Sequence, residues 1–162
     1  MLQSVKRRVK TALRWATDPQ YRRRRSEKKR LQEAPRYVPG STNLIGAPIQ
    51  YVDAASLLSA YEAIFREEIY AFDAEISSPR IIDGGANIGL ATLYWKRHFP
   101  EAEIIAFEPD PQVFRALSNN IKAHNCSEVT LIQKGLWSKE GECTFQSDGA
   151  DSGRIDGEPG QE

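Results

Sequence analysis

The pattern that most restricts the fold lies between residues 80 and 136, where short apolar runs alternate with segments of helical spacing. Apolar runs occupy residues 80–82, 103–108 and 128–136, and the run "EIIAFE" shows no polar alternation. Such a run is typical of a strand that is covered on both faces. Strands separated by helices indicate βαβ units and a parallel sheet. The sequence therefore predicts an α/β, doubly wound, Rossmann-like fold with only the first three core strands present.

Upstream of this pattern, we predict a linker and small hairpin, followed by a helix over residues 54–66 with Asp53 as its N-cap. The stretch "EEIYAF" is expected to extend this helix up to Ser77-Ser78-Pro79. The polar, glycine-rich tail is expected to be flexible. The predicted regions are a basic arm (1–36), a linker with hairpin and cap helix (37–79), a partial ligand-binding βαβαβ domain (80–146) and the tail (147–162).

Charge is distributed unevenly along the chain. Residues 1–36 carry 13 Lys and Arg against 3 Asp and Glu, whereas residues 37–162 carry 9 against 19. The arm is either a solvated extension or a short basic helix that contacts an anionic lipid surface or polyanion. It carries no reader motif with interleaved aromatic residues, so no specific nucleic acid partner is expected.

Cellular location and redox state follow from three simple features. No apolar run approaches the length of a membrane span, and no apolar segment follows the basic N-terminus as it does in a secretory signal. Cys126 and Cys143 are isolated and lack metal-ligand spacing. We therefore expect a cytoplasmic protein with reduced thiols and no metal site.

The glycine-rich stretch "IIDGGANIGL" (81–90) joins the first predicted strand to the next helix and is a candidate ligand-binding turn. A phosphate-binding P-loop requires Lys-Ser/Thr after the last glycine, which is absent here. A dinucleotide fingerprint would place Ala86 at the closest approach to the pyrophosphate, with Asp83 beside it as a like charge. S-adenosylmethionine carries a sulfonium and an ammonium group and no phosphate, so the acid favours it.

The end of the second strand supplies a further acid. Glu108 follows Asp83 by 25 residues and should lie beside the first strand's carboxyl end in a right-handed βαβ unit. Its carboxylate can accept hydrogen bonds from the two ribose hydroxyls of an adenosine. Asp110, followed by Pro111, is a helix cap or a further ligand, and Asn87 binds the ligand or only holds the turn. The candidate cofactor-binding residues are Asp83, Gly85, Asn87, Gly89, Glu108 and Asp110.

The segment "IIDGGANIGLATLYWKRHFPEAEIIAFEPDP" resembles the FkbM-type family of class I methyltransferases, as do the stretches "AIFREEIYAF" upstream and "GADSGRI" downstream. The resemblance implies S-adenosylmethionine as cofactor and the hydroxyl of a sugar, glycan or natural product as methyl acceptor. It places Asp83, Gly85, Asn87 and Gly89 in the cofactor loop and Glu108 at the ribose. It also raises a role for Glu68 and Tyr70 at the methionine end.

One family segment, K-x-D-x-E-G on the next core strand, has no counterpart here. The chain is therefore expected to be the N-terminal part of a methyltransferase, with the apolar strand at 80–82 left unpaired at one edge. No catalytic residue is nominated, and His98 and His124 are interpreted as surface residues. Two alternatives stay open: a non-catalytic binding or assembly piece, and a nicotinamide-dependent oxidoreductase.

Overall fold

The computed structural model describes residues 19–139, 141, 144–146 and 153–156. The expectations for residues 1–18, for Cys143 and for most of the tail lie outside the described residues. The elements, in chain order, are helix α1 (Pro19–Gln32), strands β1 (Gly40–Thr42) and β2 (Ile49–Tyr51), helix α2 (Ala54–Phe65), strand β3 (Arg80–Gly84), helix α3 (Leu90–His98), strand β4 (Glu103–Phe107), helix α4 (Pro111–Ala123), and strands β5 (Val129–Ile132), β6 (Thr144–Gln146) and β7 (Arg154–Asp156).

Strands β3, β4 and β5 form a parallel three-stranded sheet in that order, which confirms the predicted α/β architecture. The connections run through α3 and α4, so the sequence order of strands is also their spatial order. The register pairs Asp83 with Ala106 and Gly84 with Phe107. The carboxyl ends of the first two core strands therefore lie side by side.

The core lies between the sheet and the helices on one of its faces. Residues on this face alternate with exposed ones, as the period of a strand requires: Ile104 and Ala106 are buried, whereas Ile105 is exposed. The hairpin of β1 and β2 packs its alternate residues into the same core. The buried cluster comprises Leu31, Leu44, Ile45, Ile49, Tyr51, Val52, Ala54, Leu57, Ile64, Ala86, Ile88, Leu90, Ala91, Leu93, Tyr94, Ala106, Val113, Ala116, Leu117 and Ile121.

The opposite face of the sheet is apolar and exposed in the part of the chain that the structure describes. Ile82 at the centre of β3 is 69% exposed, and Ile105, Leu136 and Trp137 are also exposed. Within the described residues, β3 pairs with β4 on one side and lies at the edge of the three-stranded sheet. An apolar strand with an unpaired edge is a template for pairing with another chain.

We therefore expect Ile82→Lys to reduce self-association of the chain and to change its stability by only about 0.5 kcal/mol or less, because the residue is 69% exposed. Light scattering over a range of protein concentrations would measure the effect. Ile81→Lys is the matched control, since Ile81 lies on the other side of the same strand and is partly buried. A wild-type chain that stays monomeric at high concentration would contradict this expectation.

Helix α2 begins as predicted but ends earlier. Asp53 accepts a hydrogen bond from the Ser56 N–H at 2.9 Å and caps the helix, which stops at Phe65. The expected extension through "EEIYAF" is wrong, because Glu68 adopts a positive φ of 56° and the chain turns back there. The Ile69 N–H then donates to the Ala63 carbonyl at 3.2 Å. The segment that follows carries Tyr70 as a loop residue.

The described part of the basic arm packs on the domain. Leu31 of α1 is 1% exposed within the core, and Lys28 forms an ion pair with Glu62 of α2 at 2.5 Å. Arg36 contacts both carboxylate oxygens of Asp53 at 3.0 Å. Burial alone would raise the pKa of Asp53, but hydrogen bonds from Tyr37, Ser56 and Arg36 outweigh it and lower the pKa to about 2. Residues 19–36 therefore contribute to the fold.

Smaller differences concern the ends of elements. Helix α3 begins at Leu90, the last residue of the glycine-rich stretch, and the third core strand is shorter than the predicted 128–136. Residues 154–156 form β7, which pairs antiparallel with β6 and places Ile155 opposite Phe145, in a stretch where no regular structure was expected.

No helix in the described ranges is long and apolar enough to cross a membrane.

Candidate ligand-binding site

The backbone at the carboxyl ends of β3 and β4 brings the two predicted acids to one place. The Phe107 carbonyl at the end of β4 accepts hydrogen bonds from the Gly85 and Ala86 N–H groups at 2.9 and 2.8 Å. These bonds hold the start of the glycine turn against the second strand. Asp83 therefore lies just before the turn, and Glu108 directly follows the residue that anchors it.

The turn itself depends on three residues in the left-handed region of backbone space. Gly85, Asn87 and Gly89 have φ values of 81°, 50° and 91°. A Cβ atom on Gly89 would also lie 2.7 Å from the Leu117 Cδ1 atom, whereas a Cβ on Gly85 would meet nothing within 4 Å. Gly89 therefore serves both the turn and the packing of α4, while Gly85 leaves open space above the backbone where a ligand can approach.

Asp83 is buried and is held by a residue from the following helix. Its side chain is 6% exposed, and its Oδ2 atom accepts a hydrogen bond from the Thr92 hydroxyl at 2.6 Å. Burial raises the pKa of the Asp83 carboxyl, and the bond from Thr92 opposes that rise. The site thus keeps an acid in a position where its charge is poorly solvated.

Glu108 is equally buried and braces the turn. Its Oε2 atom accepts a hydrogen bond from the Asn87 N–H, and its Oε1 atom accepts one from the Asp110 N–H, both at 2.9 Å. Burial is the main cause that raises the pKa of Glu108, and the charges of Asp110 and Asp83 raise it further. A carboxylate has about four acceptor positions, so these two bonds leave capacity for ligand hydroxyls.

The remaining candidate residues serve the local backbone. The Asn87 side chain accepts a hydrogen bond from the Ile88 N–H at 2.6 Å, so it stabilises the turn. Asp110 caps α4 by accepting hydrogen bonds from the Gln112 and Val113 N–H groups at 2.7 and 3.0 Å. The cap interpretation of Asp110 is thereby confirmed. A direct contact of Asn87 or Asp110 with a ligand stays a prediction.

An open cleft of about 680 Å³, a volume that includes solvent at its mouth, lies between α2 and the glycine turn. Asp83, Gly84 and Gly85 line one side, and Tyr70 lies at the same cleft. Within residues 19–139, neither Glu68 nor Glu108 is among the lining residues, and these include no Lys or Arg. The full lining is Val52, Asp53, Ser56, Leu57, Ala60, Ile64, Tyr70, Asp83, Gly84, Gly85, Ala86, Asn87, Ile88, Leu90 and Ala91.

Two residues that support the site were not identified from the sequence. Thr92 and Asn120 are 0% and 1% exposed, and each bonds to the segment that carries the turn. Both are polar residues on the buried face of an amphipathic helix, and that position is the signal that could have found them. A polar side chain on such a face requires a partner.

The two histidines lie away from the candidate acids. His98 at the end of α3 is exposed, and its Nδ1 atom is 2.9 Å from the Tyr94 carbonyl. His124 is half-buried, with Nε2 at 3.2 Å from the Pro48 carbonyl in the hairpin loop. Burial lowers the pKa of His124. Neither ring contacts Asp83 or Glu108, and the described residues contain no cluster of potential metal ligands.

Comparison with known proteins gives several curated relatives. Methyltransferase sdnD of Sordaria araneosa is 44% identical over 82 residues, which cover 50% of this chain and 32% of that protein. Methyltransferase 1 of Beauveria bassiana is 40% identical over 76 residues, or 47% of this chain and 30% of that protein. The 31-O-demethyl-FK506 methyltransferase FkbM of Streptomyces tacrolimicus is 33% identical over 81 residues, or 49% and 31%. The chain thus spans about a third of the length of these relatives.

Other comparisons are less informative. No family model matches the chain. Among solved structures, M. jannaschii TYW2 in complex with AdoMet shares 20% identity at a TM-score of 0.48, covering 61% of this chain and 44% of that one. The three methyltransferases from Sordaria, Beauveria and Streptomyces confirm, over about half of the chain, the resemblance to FkbM-type methyltransferases that the sequence motifs predict.

Proposed function

We propose that this chain is the cofactor-binding part of a methyltransferase and that it binds S-adenosylmethionine at the carboxyl ends of β3 and β4. One observation carries the proposal. Two buried carboxylates, Asp83 and Glu108, flank a glycine turn, and none of the described residues that line the adjoining cleft is a Lys or Arg. Buried acids without a cationic partner are costly, so such a site suits a ligand that brings positive charge.

The same electrostatics argue against a phosphate-bearing cofactor. Asp83 ends the strand directly before the turn, and Glu108 accepts a hydrogen bond from the backbone N–H of Asn87 within it. A diphosphate at the turn would lie beside both carboxylates and compete for that N–H group. Two negative charges that lie close together in a poorly solvated site repel each other strongly. A nicotinamide dinucleotide is therefore disfavoured.

Each end of S-adenosylmethionine finds a chemically suitable group. Asp83 lines the cleft beside α2 and would hold the positively charged methionine end. Glu108, with acceptor capacity left on both oxygens, would accept the ribose hydroxyls. The open space above Gly85 would let the ligand approach the backbone. When bound, the cofactor would supply a methyl group on a sulfonium, and transfer of that methyl group to an acceptor would break its bond to sulfur and leave S-adenosylhomocysteine.

For the acceptor, we propose a hydroxyl of a sugar, glycan or other natural product. The Streptomyces tacrolimicus relative is named as a methyltransferase of 31-O-demethyl-FK506, which supports an oxygen as the methyl acceptor. The acceptor is then a small molecule or glycan, and placing its hydroxyl in line with the sulfonium would supply much of the rate acceleration. The described residues that we assign to cofactor binding do not include a base for this step.

The cofactor assignment predicts ligand-specific stabilisation of the full chain. At ligand concentrations about 100-fold above Kd, S-adenosylmethionine or S-adenosylhomocysteine should stabilise the fold by about 2.7 kcal/mol, which raises Tm by roughly 5–10 °C. Differential scanning fluorimetry with and without each ligand would measure the shift, with NAD⁺ as the control. Stabilisation by NAD⁺ and none by the two sulfur ligands would refute the proposal.

A further inference from the structure

A buried hydroxyl lies directly behind the acid at the end of β3. Thr92 stands in the first turn of α3 among apolar neighbours and is fully buried. Its Oγ1 atom donates to the Asp83 Oδ2 atom at 2.6 Å. This O···O separation is in the range of charge-assisted hydrogen bonds, which are about twice as strong as neutral ones.

The bond uses the Oδ2 atom of Asp83, a residue that lines the cleft. We infer that Thr92 is a positioning residue: its hydroxyl holds the Asp83 carboxylate in the orientation and the charged form that a cationic ligand requires. This inference rests on the proposed function and deepens it. Thr92 lies on the helix behind the strand and is not among the residues that line the cleft, so it acts through Asp83.

The charges around Asp83 explain why such a bond is needed. Burial raises the pKa of Asp83, and the Thr92 hydroxyl opposes that effect. Glu108 after β4 faces the same turn as a like charge, and Asp110 lies beside Glu108. At the N-cap of α2, Asp53 lines the cleft with its charge paired to Arg36. The other titratable residue of the lining, Tyr70, offers no positive charge.

Loss of the hydroxyl therefore has a defined direction. Without the bond from Thr92, the pKa of Asp83 rises, and the carboxyl keeps its proton to higher pH. A cationic ligand binds the ionised form, so its affinity rises with pH through that pKa. The midpoint of this rise moves to higher pH in the variant, and part of the lost affinity returns under more alkaline conditions.

The experiment compares Thr92→Val, which removes the hydroxyl at nearly constant volume, with Thr92→Ser, which keeps it. In the ligand-free full chain, ¹³C NMR follows the titration of the Asp83 carboxyl, whose signal is identified by its absence from Asp83→Asn. We expect the midpoint to move upward in Thr92→Val and to stay close to wild type in Thr92→Ser. Calorimetry with S-adenosylmethionine near pH 7 should show about tenfold weaker binding for Thr92→Val only.

The two measurements separate the inference from the proposed function. An unchanged Asp83 titration in Thr92→Val overturns the inference, even if the ligand binds less tightly. Failure of the wild-type chain to bind S-adenosylmethionine at any pH overturns the proposed function, whereas the upward shift of the titration would still support the coupling. Should the valine variant not fold, Thr92→Ala removes the same hydroxyl and carries the same test.

Discussion

Replacing Asn120 with leucine should destabilise the folded chain by about 2–4 kcal/mol, although leucine has a similar size. Asn120 lies on the buried face of α4 and is 1% exposed. Its amide donates to the carbonyls of Gln50 and Ile88 at 2.9 and 2.8 Å, and its oxygen accepts a hydrogen bond from the Gln50 N–H at 2.7 Å. One side chain thus joins α4 to strand β2 and to the glycine turn.

The cost arises because leucine satisfies none of these three backbone groups. The Ile88 carbonyl lies in a buried residue and cannot readily exchange its partner for water, whereas the groups of Gln50 are closer to the surface. An unsatisfied buried polar group costs about 1–3 kcal/mol. Against a total stability of about 5–15 kcal/mol for a small domain, the loss is large.

Urea denaturation monitored by far-UV circular dichroism would measure the change. Asn119→Leu is the matched control, since Asn119 is the adjacent residue, is exposed, and donates a hydrogen bond to the side-chain oxygen of Gln50 at 2.8 Å. The control should stay within about 0.5 kcal/mol of wild type. Equal stability of the Asn119 and Asn120 variants would show that the buried bonds contribute little.

The sheet and the caps could be predicted from sequence because their signals are local. The apolar runs specify β3 and β4, and the glycine turn between strand and helix specifies where the first strand ends. The Asp110-Pro111 pair marks the start of α4, and the cap at Asp110 is present as expected. Given the right-handed βαβ connection, the proximity of Asp83 and Glu108 then follows from topology alone.

Other features could not be read from local signals. The stretch after Phe65 has apolar residues at a spacing that fits a helix, yet Ile69, Tyr70 and Phe72 are exposed in the loop. The helix is not continued because the chain turns back at Glu68, and the conformational preference of glutamate does not predict a turn there. The basic arm packs on the domain through Leu31, an apolar residue between charged and polar neighbours. One such residue does not predict a buried position, which becomes visible only in the folded structure.

The roles of Thr92 and Asn120 were missed for a related reason. A polar residue within an apolar stripe shows that some partner exists, but the partner is distant in sequence: Asn120 bonds to residues 70 and 32 positions away. Thr92 bonds to Asp83, which the sequence had already assigned to a ligand. Such long-range pairs require the three-dimensional arrangement of strand, turn and helix.

Replacing Asp83 with asparagine should weaken binding of S-adenosylmethionine by at least about tenfold near pH 7, because the substitution removes the buried negative charge and keeps the volume. The asparagine oxygen can still accept the hydrogen bond from Thr92, so the local geometry need not change. Calorimetric titration of the full chain would give the affinity. Glu103→Gln is the control: Glu103 lies at the opposite end of the same sheet, pairs with the exposed Arg80, and should not affect binding.

The same substitution should leave the ligand-free protein equally stable or make it more stable. The pKa of Asp83 is raised in the folded state, so the folded chain binds the proton more tightly than the unfolded chain. Its stability therefore falls as pH rises from the ordinary aspartate pKa of 3.8 through the raised value, and the penalty is fully present above that value. Asparagine removes this penalty, and its advantage should shrink as pH is lowered toward 3.8.

Opposite changes in stability and affinity would separate two roles for a buried acid. Some buried acids serve the fold. Asp53, with its lowered pKa and its bonds to Arg36 and Ser56, is one of these, and removal of its charge should destabilise the chain. When an acid is kept for a ligand, removal of its charge should weaken ligand binding and stabilise the ligand-free chain, because the fold only partly offsets the cost of burying that charge. If Asp83→Asn instead destabilised the ligand-free chain and left the affinity for S-adenosylmethionine unchanged, Asp83 would serve the fold as Asp53 does. That result would refute the proposal that Asp83 binds a cationic ligand.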